Sequence, residues 1–274
     1  MDNNKSQYIH IGTFQSIDKE ILSKIIEASF DIGVYSFDTA PSYKTEALLG
    51  SLLSEKSKQY GIDRSSLYIS DKIDDTQMEE SEGEITRYLE QALLKLKVDY
   101  IDTLFIHWPF ERYLNKTWET MGQLKEQKKI KEIGLCNVRV RHITKIIEET
   151  GIKPDVIQIE RHPLRTCDDE VSYCNDNGIL IQAYSPLCRM TNKITQNQLL
   201  KTLADKHEKS IPQIILRWHI DTGVVPVFTT HRVERIKDNC DIFGFKLTDN
   251  EIADINKLNE NYKIFLESYC CPGF

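Results

Sequence analysis

The stretch IKEIGLCNVRVRHITKIIEETGIKPDVIQIE, residues 130–160, contains two short apolar runs separated by an amphipathic segment. The runs at 130–136 and 155–160 have the length and the β-branched content of buried strands. The segment 140–151 has helical periodicity and ends in glycine, which is typical of a helix C-terminus. The order strand, helix, strand predicts a unit whose two strands lie parallel in one sheet.

The same alternation extends along the whole chain, and one further helix and a tail follow the last unit. The predicted strands are 8–13, 34–38, 66–70, 101–107, 130–136, 155–160, 179–184 and 223–229. The predicted helices are 17–33, 46–61, 81–98, 114–129, 140–151, 168–178, 194–209, 232–240 and 248–258. Eight units in about 250 residues favour a closed barrel over an open doubly wound sheet, and no GxGxxG follows the first strand. We therefore predict an α/β fold, a (β/α)₈ TIM barrel with an additional C-terminal helix and tail, as a single domain over 1–274.

The composition narrows the function classes. The net charge of −7 argues against a nucleic-acid partner, which would require a basic face. No secretory signal is visible at the N-terminus, and no apolar stretch approaches the roughly 20 residues of a membrane span. The seven cysteines show no zinc-ribbon spacing and are expected to be reduced intracellular thiols. We expect a cytoplasmic monomer that acts on a small molecule, with no membrane partner.

The fold prediction indicates where to look for an active site, because barrel enzymes carry it at the carboxyl ends of the strands. The residues predicted at those ends are Gly12, Thr13 and Phe14 (strand one), Asp38 and Tyr43 (two), Lys72 (three), His107 and Trp108 (four), Cys136 and Asn137 (five), 158–162 (six), Tyr184 and Ser185 (seven), and Thr229 and Thr230 (eight).

Four of these residues fit one chemical task. A phenol has a pKa near 10, and a neighbouring ammonium favours its ionised form while a carboxylate keeps that ammonium charged. Tyr43, Lys72 and Asp38 can form this chain, and His107 can donate a second hydrogen bond to a carbonyl oxygen. Taken singly, each has a structural alternative: a core aromatic, a surface lysine, a strand-end cap and a buried histidine. Their joint placement at one rim favours a catalytic site.

The segment 38–50, DTAPSYKTEALLG, resembles the signature Asp-Thr-Ala-x-x-Tyr-Gly-x-Glu-x-x-Leu-Gly of the aldo-keto reductases. Lys72 follows Tyr43 by 29 residues, as the catalytic lysine of that family does. Further similar segments, in the family's order, are YIDTLFIHWP (100–109), IKEIGLCN (130–137), VIQIERHP (156–163), AYSPL (183–187) and 215–239. The resemblance covers nearly the whole chain, which is identified as a member of this family of NAD(P)(H)-dependent (β/α)₈ enzymes that reduce aldehydes and ketones.

The resemblance implies that Tyr43 is the general acid, with Asp38, Lys72 and His107 as its catalytic partners. The implied cofactor contacts are Gly12, Thr13, Cys136, Asn137, Gln158, Tyr184, Ser185, Leu187, Thr229, Thr230, Arg235 and Asn239. Within this set, Tyr184 is expected to stack on the nicotinamide. NADPH is the expected cofactor, with NADH as the alternative, and no metal is expected.

The chain departs from the family pattern at several positions. Lys44 stands where the family usually has glycine, and Cys136 stands where it has serine. Many members have Lys-Ser where this chain has Thr229 and Thr230, and that lysine binds the 2′-phosphate of NADPH. We therefore predict weak discrimination between NADPH and NADH.

The substrate depends on segments that differ between family members, here 108–116, 186–193 and 260–274. The expected apolar mouth of the site consists of Phe14, Trp108, Phe110 and Tyr269. Arg112 or Arg189 would favour an acidic or phosphorylated substrate, although both also fit a solvated surface.

Two other functions are open on sequence grounds. A cofactor-binding sensor or regulatory subunit with little turnover can use the same scaffold, since fold alone does not determine function. A metal-dependent barrel hydrolase would use Asp38, His107 and His162, but the chain lacks the paired His-x-His motif expected there. The four filled catalytic positions favour the reductase.

Overall fold

The structure is a computed structural model that describes residues 5–74, 77–78 and 83–265. Eight parallel strands pair in chain order and close into a barrel, with β8 hydrogen bonded to β1. The strands are β1 (His10–Gly12), β2 (Ser36–Asp38), β3 (Tyr68–Ile73), β4 (Ile101–Ile106), β5 (Ile130–Cys136), β6 (Val156–Glu160), β7 (Leu180–Tyr184) and β8 (Val224–Phe228). This topology confirms the predicted (β/α)₈ barrel.

Helices connect successive strands and surround the barrel. They are α1 (Lys19–Asp31), α2 (Glu46–Tyr60), α3 (Glu84–Leu96), α4 (Glu111–Glu126), α5 (Val140–Thr150), α6 (Asp168–Asn177), α7 (Asn192–Thr195), α8 (Gln198–His207), α9 (Ile211–Asp221), α10 (Glu234–Cys240) and α11 (Asp249–Asn256). The additional C-terminal helix is α11, while most of the predicted tail lies outside the described residues. None of the helices in the described part is long and apolar enough to cross a bilayer.

Besides small shifts at the ends of other elements, three sequence predictions differ from the structure. The third strand was predicted at 66–70, but β3 extends to Ile73 because its last residues pair with β4, and Lys72 therefore lies inside the strand. The helix predicted at 194–209 is two helices, since the Asn197 side chain accepts from Leu200 N and starts α8 anew. No element was predicted over α9, although Ser210 and Gln213 form a capping box at its start.

Apolar residues of the strands and of the inward helix faces form the main core. Packing inside the barrel is close at Gly134, where a Cβ atom would lie 2.4 Å from the Phe105 ring. This rigid frame holds the carboxyl ends of β2, β3 and β4 next to one another, because β3 pairs with both neighbours. Residues that end or follow these strands therefore share one rim.

Candidate active site

A buried ion pair joins the carboxyl end of β2 to β3. The Lys72 side chain is fully buried, and its Nζ lies 2.6 Å from Oδ1 of Asp38. Lys72 Nζ also donates to the Thr39 carbonyl oxygen at 3.0 Å. Asp38 Oδ2 accepts from the Ser70 hydroxyl and from Gln158 Nε2, at 2.9 Å each. Because a buried charge needs a partner and hydrogen bonds, this network compensates for the burial of the ion pair.

The charge of Lys72 is strongly favoured. Burial, the largest single influence, would lower the pKa of Lys72, but the charge and hydrogen bond of Asp38, together with smaller contributions from Tyr43 and Cys136, raise the pKa overall. The ammonium therefore persists throughout the physiological pH range.

Tyr43 ends a short 3₁₀ turn, Pro41–Tyr43, directly beyond β2. Lys72 Nζ lies 5.0 Å from the centroid of the Tyr43 ring. Burial raises the pKa of the Tyr43 phenol well above its usual value, and the Lys72 ammonium only partly opposes that rise. The net shift is therefore opposite in direction to the one expected from the ammonium alone. A protonated phenol at neutral pH is the form that a proton donor needs.

The residue after Tyr43 has a backbone conformation that is usual for glycine. Lys44 has φ 59° and ψ 28°, in the left-handed region. A non-glycine residue pays roughly 1–2 kcal/mol for this conformation. Lys44 therefore adopts a conformation that glycine adopts more readily, at some cost in stability.

His107 follows β4 and faces Tyr43. Its backbone N–H donates to the Ile73 carbonyl oxygen, and the His107 and Tyr43 ring centroids are 5.8 Å apart with nearly perpendicular planes. Nδ1 of His107 lies 2.5 Å from Oδ1 of Asp74. The structure thus brings together Asp38, Tyr43, Lys72 and His107, the four residues that the sequence predicted.

Three residues predicted as cofactor contacts, Asn137, Tyr184 and Gln158, connect to the candidate catalytic residues. Asn137 Nδ2 donates to the His107 carbonyl oxygen at 2.8 Å, and Asn137 Oδ1 accepts from the Tyr184 hydroxyl at 2.7 Å. Gln158 Nε2 donates to Asp38 and to Gln182 Oε1, at 2.9 Å each. The amide of Gln158 is thus largely engaged inside the barrel, while Asn137 retains one N–H and one oxygen lone pair.

Cys136 lies behind these residues rather than at the surface. Its side chain is buried, and its Sγ lies 3.9 Å from Gln158 Oε1. Burial raises the pKa of the Cys136 thiol well above its usual value. This cysteine is therefore an inert neutral thiol and a weak hydrogen-bond donor.

Thr13, which was predicted as a cofactor contact, is fully buried and turned inward. Its hydroxyl donates to the Asp38 carbonyl oxygen at 2.9 Å and lies 2.9 Å from the Thr45 hydroxyl. Gly12 lies against the end of β8, where a Cβ atom would meet the Thr229 hydroxyl at 2.6 Å. A larger residue at position 12 would therefore displace Thr229.

The segment beyond β8 presents cations to solvent. Thr229, Arg232 and Arg235 are exposed, and the two arginines form no ion pair within the described part of the chain. Thr230 is buried, and its hydroxyl closes a local turn with the backbone N–H of Arg232 at 3.1 Å. Asn239 is also buried. Unpaired guanidinium groups at this rim suit a phosphate.

The loop beyond β7 has an unusual backbone. Ser185, Cys188, Arg189 and Met190 all have positive φ angles, between 47° and 50°. Leu187, within the same loop, is partly buried against the core. Several such residues in succession are held only where the surrounding structure determines the loop shape, which is common at ligand-binding loops.

Two of the predicted pocket residues adjoin the catalytic cluster. The Phe14 ring lies edge-on to the Tyr43 ring at 5.1 Å, and Trp108 follows His107 with ring centroids 6.4 Å apart. Phe110 is partly exposed and lies against Tyr113 at the start of α4. The fourth, Tyr269, lies outside the described residues.

Sequence reasoning missed the role of Glu160. Its Oε1 accepts from Ile264 N at 2.7 Å and its Oε2 accepts from Phe265 N at 3.0 Å, so this carboxylate holds the start of the tail against the rim. The Phe265 ring then lies edge-on to Tyr184, with centroids 5.6 Å apart. Contacts between residues more than 100 positions apart leave no local signal in the sequence.

Sequence reasoning also missed Asp74 and Ser70, which hydrogen bond to His107 and Asp38 respectively. Both have a weak signal, because side chains two residues apart in a strand point to the same face, and each is two residues from Lys72. His162, considered above as a metal ligand, is paired with Glu160 at 3.0 Å. Within residues 5–74, 77–78 and 83–265, no group of three or more candidate ligand side chains is placed to hold a metal ion.

The closed parallel barrel, the buried carboxylate–ammonium pair and the protonated phenol are together typical of a barrel enzyme that donates a proton to its substrate. Its rim can deliver a proton to an oxygen atom that gains negative charge, and the neighbouring imidazole can orient that oxygen. Such a site suits the reduction of a carbonyl group.

Comparisons with known proteins identify the family. The model of the Aldo/keto reductase family matches residues 8–260. The chain is 33% identical over 256 residues to a glyoxal reductase of Bacillus subtilis (strain 168), covering 93% of this chain and 89% of that protein. It is 32% identical over 267 residues to methylglyoxal reductase DkgA of Escherichia coli (strain K12), covering 96% and 93%. A crystal structure of a Bombyx mori aldo-keto reductase in complex with NADP superposes with a TM-score of 0.83 at 27% identity, covering 96% of this chain and 92% of that one.

The chain therefore belongs to the aldo/keto reductase family and is an oxidoreductase that acts on carbonyl groups. The comparisons lend no support to the sensor alternative.

Proposed function

We propose that this protein reduces a small aldehyde or ketone to an alcohol, with Tyr43 as the proton donor. Tyr43 gives its phenolic proton to the carbonyl oxygen as negative charge develops there. The Lys72 ammonium stabilises the resulting phenolate, and Asp38 keeps that ammonium charged and in place. His107 orients the carbonyl oxygen toward Tyr43. The observation that carries this proposal is the fully buried Lys72, held between Asp38 and the Tyr43 ring.

We propose NADPH as the cofactor, with NADH as a usable second choice. When bound, the cofactor supplies the hydride, while the protein supplies orientation and charge stabilisation. The free amide groups of Asn137 and the face of Tyr184 suit a nicotinamide, and the exposed Arg232 and Arg235 suit the phosphate at the adenine end. The residues of this chain therefore fit the cofactor.

We infer that short 2-oxoaldehydes are the first substrates to examine. Two relatives bear the names glyoxal reductase and methylglyoxal reductase. Phe14 lies against the Tyr43 ring and Trp108 against the His107 ring, so both offer apolar surface to a small carbonyl compound. One chain supplies all four catalytic groups, which supports a monomer as the working form. The five cysteines within the described residues are free and buried, which supports the reducing cytoplasm as its location.

The test is to follow NADPH absorbance with purified protein and a panel containing methylglyoxal, glyoxal and simple aldehydes and ketones. Tyr43→Phe should lower turnover about 10²–10⁴-fold, which is the usual contribution of general acid catalysis, and should leave NADPH binding nearly unchanged. A variant that keeps more than roughly a tenth of wild-type turnover would show that Tyr43 is not the acid. Wild-type protein that binds NADPH but reduces none of the panel would favour the sensor.

A further inference from the structure

Asp74 lies one residue beyond β3 and connects two parts of the catalytic rim. Its Oδ1 lies 2.5 Å from His107 Nδ1, and its Oδ2 accepts from the backbone N–H of Ser42 at 2.9 Å. Ser42 directly precedes Tyr43 in the same 3₁₀ turn. The backbone N–H of Asp74 donates to Gln77 Oε1 at 2.9 Å, which anchors the residue itself. One carboxylate therefore contacts both His107 and the turn that carries Tyr43.

The carboxylate is ionised and can only accept hydrogen bonds. Although burial alone would raise the pKa of Asp74, hydrogen bonds from His107 and Ser42 lower it overall. An ionised carboxylate is an acceptor at every oxygen, so His107 Nδ1 must be the donor in this contact. A neutral imidazole has one N–H, and in this ring it is placed on Nδ1. The other nitrogen, Nε2, then carries a lone pair unless the ring is protonated.

We propose that Asp74 is a positioning residue that fixes the tautomer of His107, so that Nε2 presents a hydrogen to the substrate carbonyl only in the imidazolium form. In the neutral ring, Nε2 would face the carbonyl oxygen with a lone pair and repel it. This inference rests on the proposed carbonyl reduction, and it adds a residue that acts through His107.

The proposal predicts a specific pH dependence. Reduction should slow wherever the imidazole carries a single proton, because only the doubly protonated ring can donate from Nε2. Asp74 and Tyr43 lie against His107, Lys72 lies against the Tyr43 ring, and Cys136 interacts with the charges of Lys72 and Asp74. The pKa of Asp74 is lowered, and the pKa values of Tyr43, Lys72 and Cys136 are raised, so these four keep their protonation state around neutral pH.

Asp74→Asn removes the negative charge of the Asp74 side chain and keeps its size and shape. The Ser42 N–H still needs an acceptor, so the Asn oxygen should turn to Ser42 and the Asn NH₂ group should face His107 Nδ1. That nitrogen then becomes an acceptor, and the neutral ring carries its hydrogen on Nε2. We expect kcat/KM to fall about tenfold under conditions in which the wild-type imidazole is doubly protonated, because a neutral donor replaces a charged one. The decline at higher pH should disappear.

The matched control is Asp155→Asn. Asp155 also pairs with a cation, Lys125 at 2.6 Å, and accepts a backbone N–H, from Ile133 at 2.8 Å. It lies at the amino end of β6, on the opposite side of the barrel from the catalytic rim. Its variant should keep the wild-type pH profile. Asp74→Asn with the wild-type rate and profile would overturn the proposal.

A double-mutant cycle with His107→Gln tests whether Asp74 acts through His107. If it does, Asp74→Asn should have almost no further effect on kcat/KM in the His107→Gln background. Additive losses would show that Asp74 instead braces the Tyr43 turn through Ser42, and the proposal would be wrong.

The tautomer can be read without activity, by ¹⁵N-histidine NMR of the free protein. The signal of His107, one of seven histidines, is identified by its loss in His107→Gln. At alkaline pH the wild type should show the hydrogen on Nδ1, and Asp74→Asn should show it on Nε2. A wild-type ring with its hydrogen on Nε2 would refute the inference. Wild-type protein without reductase activity would overturn the proposed function, whereas these spectra decide the tautomer separately.

Discussion

Replacing Lys72 by methionine removes an ammonium from the interior of the protein and keeps most of the side-chain volume. Asp38 Oδ1 then loses a partner at 2.6 Å, while Oδ2 keeps its hydrogen bonds from Ser70 and Gln158. Breaking a buried pair from one side typically costs about 3–5 kcal/mol. Because Oδ2 remains satisfied, we expect a loss of unfolding free energy near the lower end, about 3 kcal/mol. This corresponds to a fall in Tm of roughly 6–12 °C.

Two assays are needed, because Lys72 contributes to stability and to chemistry. Urea unfolding followed by tryptophan fluorescence gives the free energy, and NADPH oxidation gives the turnover. Turnover of Lys72→Met should fall about 10²–10⁴-fold, since the phenolate of Tyr43 loses its stabilising charge. Asp38→Asn and the double variant complete a cycle, and the double variant should be less destabilised than the sum of the single variants.

The same double-mutant cycle can refute the assignment of Lys72 and Asp38 as a buried ion pair. A loss of less than about 1 kcal/mol for Lys72→Met, or strictly additive losses, would show that the ammonium and the carboxylate are not a buried pair. Normal stability with abolished turnover would assign Lys72 to chemistry alone.

Two further predictions concern other parts of the chain. Thr229→Lys should raise NADPH affinity about ten- to a hundredfold, because a charged hydrogen bond to the 2′-phosphate is worth roughly 1.5–3 kcal/mol. Fluorescence titrations with NADH and NADPH measure this change. Equal changes for the two cofactors would show that residue 229 does not face the phosphate. Glu251 has a pKa lowered to about 2, since burial is outweighed by hydrogen bonds from Thr248, Lys206 and His207. The ionised Glu251 carboxylate contributes at most about 3 kcal/mol to the free energy of unfolding, fully above pH 4.5 and progressively less as the pH falls toward 2. In urea unfolding at a series of pH values, Glu251→Gln should therefore show a flatter dependence of the unfolding free energy on pH in this range. Parallel pH dependences for the variant and the wild type would contradict this role of Glu251.

Much of the barrel could be predicted from local patterns. Each strand is a short apolar run and most helices have a continuous apolar face, and both features depend only on residues close together in the chain. The sequence predictions failed at two elements. The end of β3 was missed because the polar segment Ser70–Lys72 does not look like a strand, and it is one because β4 supplies its hydrogen bonds. Helix α9 was missed although the capping box at its start is a local signal. The four candidate catalytic residues could be proposed because each lies at or just beyond the carboxyl end of a predicted strand.

The contacts among those residues depend on closure of the barrel. The sequence by itself determined that Asp38, Tyr43, Lys72 and His107 lie at one rim, since parallel strands in chain order carry their carboxyl ends to the same side. Only the tertiary structure decided that Asp74 pairs with His107, 33 residues away, and that Gln158 reaches Asp38, 120 residues away. Such pairings follow from strand register and side-chain direction across the barrel. Neither is expressed in the periodicity of any single segment, because both arise only when all eight strands have closed.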